Sequence, residues 1–177
     1  MKLVKRLFFA LWPSAEISHA IQSNNQIIEQ SVNGNFVAQS NWHITLAFLG
    51  DCDHSTVNCL IENANTIQCF SFEVEFTTVM YFKKTMVVSY GVAKDAPVNN
   101  LNSLAQKCKQ IQEDCGLKSE ARDFKPHITV LRKSQQPQQE LIINPILWQA
   151  KEFVLVVSER TERGSNYSIL QRWNLLT

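Results

Sequence analysis

Five glycines in 177 residues are too few, and too scattered, for a Gly-rich loop that cradles phosphate. A net charge of +1 leaves no broadly basic surface of the kind that wraps duplex DNA, so an anionic partner must be held by a local cluster. The five cysteines, Cys52, Cys59, Cys69, Cys108 and Cys115, are odd in number and contain no CxxC pair. Neither a disulfide framework nor a zinc ribbon is expected, and a reducing cytoplasm is the plain reading. No stretch approaches the roughly 20 apolar residues of a membrane span. The opening MKLVKRLFFALWP has Lys2, Lys5 and Arg6 ahead of apolar residues, but Pro13 closes a short run, which reads as a strand rather than a signal peptide.

What is present is an ordinary globular composition, 45% hydrophobic, on a chain long enough to bury a real core. RLFFALW (6 to 12) reads as a strand, and Pro13-Ser14 as the start of a helix carrying Ile17, Ala20, Ile21, Ile27 and Ile28. After the Asn33-Gly34-Asn35 turn a strand is expected at WHITLAFLG (42 to 50), then a helix with Val57, Leu60, Ile61 and Ala64 on one face. FSFEVEF (70 to 76) alternates with Phe70, Phe72, Val74 and Phe76 inward, and MVVSYGV (86 to 92) is its expected antiparallel neighbour. Residues 97 to 115 carry a helical pattern with Gly116 at the C-terminal cap. FKPHITVLR (124 to 132) is the next strand, followed by a Gln-rich connector at 135 to 139. EFVLVVS (152 to 158) and YSILQRW (167 to 173) form a hairpin across Arg163-Gly164-Ser165-Asn166. The order β-α-β-α-β-β-α-β-β-β, with mostly antiparallel pairing, implies an α+β protein built from two related halves.

The tripeptide His-Ile-Thr occurs twice, at His43-Ile44-Thr45 and at His127-Ile128-Thr129. Side chains at i and i+2 on a strand share a face, so each histidine points with its threonine. Ile44, Leu46 and Phe48 on one strand, and Ile128 and Val130 on the other, are expected to point the opposite way, into a core. If the two halves oppose these faces, two imidazoles and two hydroxyls converge. Those are the parts for acid–base hydrolysis of a phosphodiester: one neutral imidazole takes a proton from water and one charged imidazole gives a proton to the departing oxygen. The hydroxyls hold the non-bridging oxygens. No metal or cofactor is called for.

Two core strands sharing a tripeptide by chance is the bland alternative, and a zinc or manganese site using Asp51 or Asp53 is the chemical rival. Threonine is a poor ligand where a second histidine or carboxylate belongs. No cysteine has an activating context for a Cys–His nucleophile. His19, on a helix, and His54, near a helix start, are expected at the surface. Phe9, Trp42 and Tyr81 are candidates for stacking on a base, though each reads equally as core.

At these residues the sequence resembles the two-histidine (2H) phosphoesterase superfamily, and within it the bacterial RNA 2′,3′-cyclic phosphodiesterases first described as 2′–5′ RNA ligases. The resemblance runs through RLFFALWP, NWHITLAFLG, FKPHITVLR and RGSNYSILQRW, nearly the whole chain, with the His-x-Thr-hydrophobic form at 43 to 46 and 127 to 130. It implies a bilobal α+β fold over residues 1–177, one domain whose two lobes flank a cleft. It also implies metal-independent opening of RNA 2′,3′-cyclic phosphate ends to 2′-phosphomonoesters, with a related 2′–5′ ligase direction. His43 would be the proton donor, His127 the acceptor, and Arg132 a phosphate or RNA contact. Strand parity places 127, 129 and 131 on one face, so Arg132 reaches the cleft only if the strand bends or ends. Lys125 flanks the site as a further charge. Met86 stands where relatives often carry an arginine, with Lys83 and Lys84 nearby as substitutes. The implied partner is RNA or a nucleotide with a cyclic phosphate end, bound by a cytoplasmic monomer. The alternatives are a binding module with little turnover and a phosphodiesterase for a small cyclic nucleotide.

Overall fold

The computed structural model describes residues 4–162 and 164–177; Lys2 and Arg163, named above, lie outside the described residues. The elements in chain order are β1 (Lys5–Leu11), α1 (Ala15–Glu29), β2 (Asn35–Phe36), a 3-10 turn at Gln39–Asn41, β3 (Ile44–Cys52) and α2 (His54–Ala64). There follow β4 (Phe72–Phe76), β5 (Thr78–Phe82), β6 (Val87–Gly91), α3 (Asn99–Asp114), β7 (His127–Arg132), β8 (Ile146–Ala150), β9 (Glu152–Thr161) and β10 (Gly164–Asn174). One four-stranded sheet has the order β10-β9-β1-β3 and a second the order β2-β7-β6-β5, while β4 and β8 form a separate pair. Every ladder between strands is antiparallel, as expected of an α+β protein.

Local chemistry explains the helix ends. The Ser14 hydroxyl caps α1 by accepting from the Ile17 N–H at 3.3 Å, and the Asp53 carboxylate caps α2 by accepting from the Thr56 N–H at 3.0 Å. Beyond α3, Gly116 sits at φ 77°, and the N–H groups of Gly116 and Leu117 bond the carbonyls of Glu113 and Gln112 at 2.9 and 3.0 Å, closing the helix as a Schellman motif. The apolar faces of the helices meet the sheets in a single large cluster containing Ile21, Leu60 and Leu104 together with Phe9, Ile44, Val88 and Ile128. A smaller cluster of Phe8, Ala10, Val154 and Val156 lies on the other face of the first sheet. Helix α1 belongs to the second sheet: the Tyr90 hydroxyl on β6 donates to Asn25 Oδ1 at 2.8 Å, both residues being buried.

Four expectations need correction. β4 does not pair with β6; it pairs with β8, while β5 intervenes and forms the hairpin with β6. The chain breaks at Thr77, and the β5–β6 turn runs through Lys83–Met86, so the two strands read as neighbours were separated by an unread one. Consequently Phe70 is exposed rather than inward, and on α1 Ile27 likewise faces out. The β9–β10 turn is also tighter than expected, since Thr161 already pairs with Gly164. Finally, two cysteines are joined: Cys59 on α2 and Cys115 at the end of α3 form a disulfide, because packing of α2 on α3 brings positions 56 apart in sequence to a Cα separation of 5.9 Å. Sequence spacing carries no trace of that contact.

The Tyr90–Asn25 pair yields a direct test. Tyr90→Phe leaves a buried amide oxygen without its donor, and a loss of about 1–2 kcal/mol in unfolding free energy is expected from urea melts. An unchanged midpoint would show that the pair contributes nothing.

Candidate active site

His43 stands immediately before β3 and His127 opens β7, so each His-Ile-Thr begins a strand in a different sheet. The sheets approach each other where β3 and β7 meet. The two rings are held alike. His43 Nδ1 lies 2.7 Å from the Asn41 carbonyl oxygen, and His127 Nδ1 lies 2.7 Å from that of Lys125, in both cases the residue two places earlier. A carbonyl can only accept, so Nδ1 carries the proton in each ring and Nε2 is left for chemistry. His43 Nε2 accepts from the Thr45 hydroxyl at 3.0 Å. Thr129 sits opposite Ser89 in register, and the buried Ser89 hydroxyl donates to the Thr129 hydroxyl at 3.4 Å, leaving the Thr129 proton able to point elsewhere. Lys125 itself is exposed, and its part at the site is through its backbone carbonyl.

Arg132 resolves the parity problem through a β-bulge. Ser89 pairs with Thr129 but Val88 pairs with Leu131, so Val130 is an extra residue in β7. Alternation restarts after it, and Arg132, opposite Val87, returns to the face that carries His127 and Thr129. The consequence is electrostatic: Arg132 is close enough for its charge to bear on both His43 and His127. A Cβ on Gly91, the partner of His127, would fall 2.2 Å from Met80 Sδ, so any side chain there would displace Met80.

Bulges act on β3 as well. Leu46 and Leu49 are the extra residues against β1, so Phe48 pairs with Phe8 and turns onto the His43 face. Phe48 was expected in the core; it is 38% exposed, while Ala47 and Leu49 take the buried places. Around His43 the aromatic wall consists of Phe8 at 4.8 Å, Tyr167 at 5.3 Å edge-on and Trp12 at 5.8 Å stacked within 10° of parallel, all between ring centroids. Phe82 lies 5.0 Å from His127. Sequence reasoning missed these four. Of the aromatics it named, Phe9 and Trp42 are buried in the main core, and Tyr81 turns away to donate its hydroxyl to the Ser134 carbonyl at 3.0 Å. The signal available was parity: Phe8, Ala10 and Trp12 alternate with the core residues Leu7, Phe9 and Leu11 along β1.

This enclosure disfavours charge on the rings. Burial pulls His43 from its usual 6.5 down to about 4, opposed by the bond to the Asn41 carbonyl and reinforced by the positive charge of His127 and Arg132. His127 is lowered for the same leading reason, burial, with Arg122 and Arg132 adding to it. Two neutral imidazoles beside an arginine form a place that gains from an arriving anion.

The metal rival fits poorly here. Ile44 pairs with Leu11 and Asp51 with Arg6, so about 20 Å of strand separates Asp51 from His43, and Asp53 accepts from Ser55 and Thr56 at the start of α2. Among the described residues no group of three or more His, Cys, Asp or Glu side chains comes together as a metal site. His19 and His54 are exposed on α1 and at the start of α2.

With this geometry established, comparison with known proteins becomes specific. The family profile described as 2′-5′ RNA ligase superfamily matches residues 13–162. The RNA 2′,3′-cyclic phosphodiesterase of Escherichia coli (strain K12) is 30% identical over 175 residues, 97% of each chain. The protein of the same name from Aquifex aeolicus (strain VF5) is 25% identical over 99% of each. The crystal structure of E. coli LigT complexed with 3′-AMP is similar at a TM-score of 0.88 and 27% identity, covering 99% of this chain and 100% of that one. The chain therefore belongs to the 2′-5′ RNA ligase superfamily.

The burial of His43 should be visible in folding. Its native value near 4 lies below the unfolded 6.5, so the unfolded chain takes up the proton first. The contribution is complete above pH 6.5 and is lost as pH falls through 4, by about 2–3 kcal/mol at pH 4.5. Urea melts at pH 7 and 4.5 should show a smaller drop for His43→Gln than for the native chain; equal drops would contradict the assignment.

Proposed function

We propose that the chain is an RNA 2′,3′-cyclic phosphodiesterase that hydrolyses the terminal cyclic phosphate to a 2′-phosphomonoester without a metal ion. The observation that carries the mechanism is the repeated anchoring of Nδ1 to a backbone carbonyl, which presents one Nε2 from each sheet on faces that sense each other's charge. His127 takes the proton from water as its oxygen bonds to phosphorus. The bond from phosphorus to the ribose 3′ oxygen breaks, and His43, charged in the complex, gives that oxygen its proton. Each role is worth about 10²–10⁴-fold in rate. Thr45 and Thr129 bond the non-bridging oxygens, and Arg132 offsets their charge.

The family resemblance assigns donor and acceptor in this order, and the electrostatics are compatible with it once substrate is bound. A phosphodiester anion between the rings opposes the repulsion from Arg132 and favours a charged His43. When His43 is protonated its Nε2 becomes a donor, and the Thr45 hydroxyl is released toward the phosphate. The same chemistry with a ribose hydroxyl in place of water would make a 2′–5′ linkage. Helices and sheets act as one domain of two lobes with substrate between them, working as a monomer. No helix among the described residues is long and apolar enough to cross a membrane. A cytoplasmic setting is part of the proposal, and there the Cys59–Cys115 bridge would meet a reducing thiol pool. Met86 is exposed at the β5–β6 turn, beside the Val87–Arg132 pair, and Lys83 and Lys84 in the same turn are the cations nearest to it in sequence.

Incubating the protein with a short RNA ending in a 2′,3′-cyclic phosphate, in the presence of chelator, should give the 2′-phosphate product. His43→Ala and His127→Ala should each lower kcat by about two to four orders of magnitude with native circular dichroism. Turnover that appears only on adding a divalent ion would overturn the scheme.

The pH profile makes an independent prediction. Since both imidazoles are lowered in the free protein, kcat/KM should be bell-shaped with its maximum on the acid side of 6.5. The kcat maximum should lie higher, because bound anion raises the pair. Coincident maxima above pH 7 would contradict the electrostatics.

A further inference from the structure

The face of the first sheet that carries His43 does not end at the histidine. From Ala10, opposite Thr45, the same face of β1 continues through Phe8 to Arg6, which pairs with Ser158 on β9. That path is about 13 Å at the rise of a strand. The Leu46 bulge brings Phe48 onto this face beside Phe8, and the Leu49 bulge keeps Asp51 on it beside Arg6. Tyr167 pairs with Ser158, and Ser165 pairs with Arg160 one step further along. An aromatic strip thus leads from the imidazole to a pair of arginines at the far end of the sheet.

Two details set this strip apart from ordinary surface. Phe48 remains 38% exposed although Phe8 beside it is 3% exposed, so the strip opens where it leaves the catalytic ring. The Arg6 guanidinium does not make an ion pair with its cross-strand neighbour Asp51. It lies 4.9 Å from the centroid of the Phe48 ring. Beyond it the sheet end forms a cavity of about 530 Å³ lined by Lys5, Arg6, Asp51, Ser158, Glu159 and Arg160, among others.

We propose that this strip is a subsite for the nucleotide preceding the cyclic end of an RNA strand. Phe48 stacks on that nucleotide's base, and Arg6 with Arg160 holds the phosphate on its 5′ side. The inference rests on the phosphodiesterase reading, since it is that reading which places a cyclic phosphate at His43. A 2′,3′-cyclic phosphate terminates the 3′ end of RNA, so any longer substrate must extend in one direction only. The strip is continuous with the His43 face, is apolar where a base would lie and is cationic where the next phosphate would fall. An aromatic ring accepts any base, so the subsite selects for chain length rather than sequence.

The test compares a 2′,3′-cyclic mononucleotide with a trinucleotide carrying the same end. The native protein should show a kcat/KM ratio of trinucleotide to mononucleotide well above one. Phe48→Leu and Arg6→Gln should each lower that ratio by about tenfold through KM, while Phe48→Tyr, which keeps the ring, should retain it. Binding of a trinucleotide ending in 2′-phosphate, followed by fluorescence anisotropy, should weaken in the same two variants and show a shallower salt dependence in Arg6→Gln. Circular dichroism and thermal melts establish that the variants fold. A ratio near one in the native protein, with the mononucleotide turned over, overturns the subsite and leaves the phosphodiesterase intact. Absence of turnover on both substrates counts against the phosphodiesterase reading, and the anisotropy series then decides the subsite alone: equal affinity in native and variant proteins overturns it.

Discussion

A strand can show only alternate residues on one face, and the site depends on where that alternation is broken. Val130 is an extra residue in β7, and Leu46 and Leu49 are extra residues in β3. Without the first, Arg132 would point into the core beneath the sheet and no guanidinium would bear on the imidazoles. Without the second pair, Phe48 would be buried with Ile44, and the face beside Phe8 would end sooner. Bulges leave the apolar residues enough places to pack, since Val130, Leu131, Leu46, Ala47 and Leu49 are all buried. The core is thus kept while the polar set is re-aimed.

The electrostatic character of the site follows from that placement. Packing Phe8, Trp12 and Tyr167 around His43 removes much of the water from the ring, and an arginine nearby makes a positive charge there still less favourable. The bond to a backbone carbonyl pulls the other way in each ring, although it does not outweigh burial. Its main effect is directional: it commits one nitrogen and aims the other. Such a site is poised for a ligand that brings negative charge with it, because the anion and the imidazolium then stabilise each other in a place of low polarity.

Much of the fold was legible. β1, α1, β3, α2, α3 and β7 lie where apolar periodicity and capping residues put them, because each buries a face whose spacing is local. The pairing of β4 was misread because antiparallel neighbours were inferred from order alone, and β5, with every residue only partly buried, has weak alternation. The Cys59–Cys115 bridge was unreadable for a related reason: it reports how α2 meets α3. The two histidines and threonines stood out by repetition, whereas Phe8, Trp12, Tyr167 and Phe82 sat inside strands where an aromatic reads equally well as core.

Taken alone, the amino-acid order determined which residues alternate, where helices begin and end, and that an imidazole and a hydroxyl recur two places apart. Those are properties of the backbone repeat and of side chains a few residues away. Only the tertiary structure decided which face each strand turns to its neighbour, that Arg132 and Phe48 join the polar side, and that the rings are partly desolvated. Register between strands and burial between sheets arise from contacts across long stretches of chain, and no local pattern encodes them.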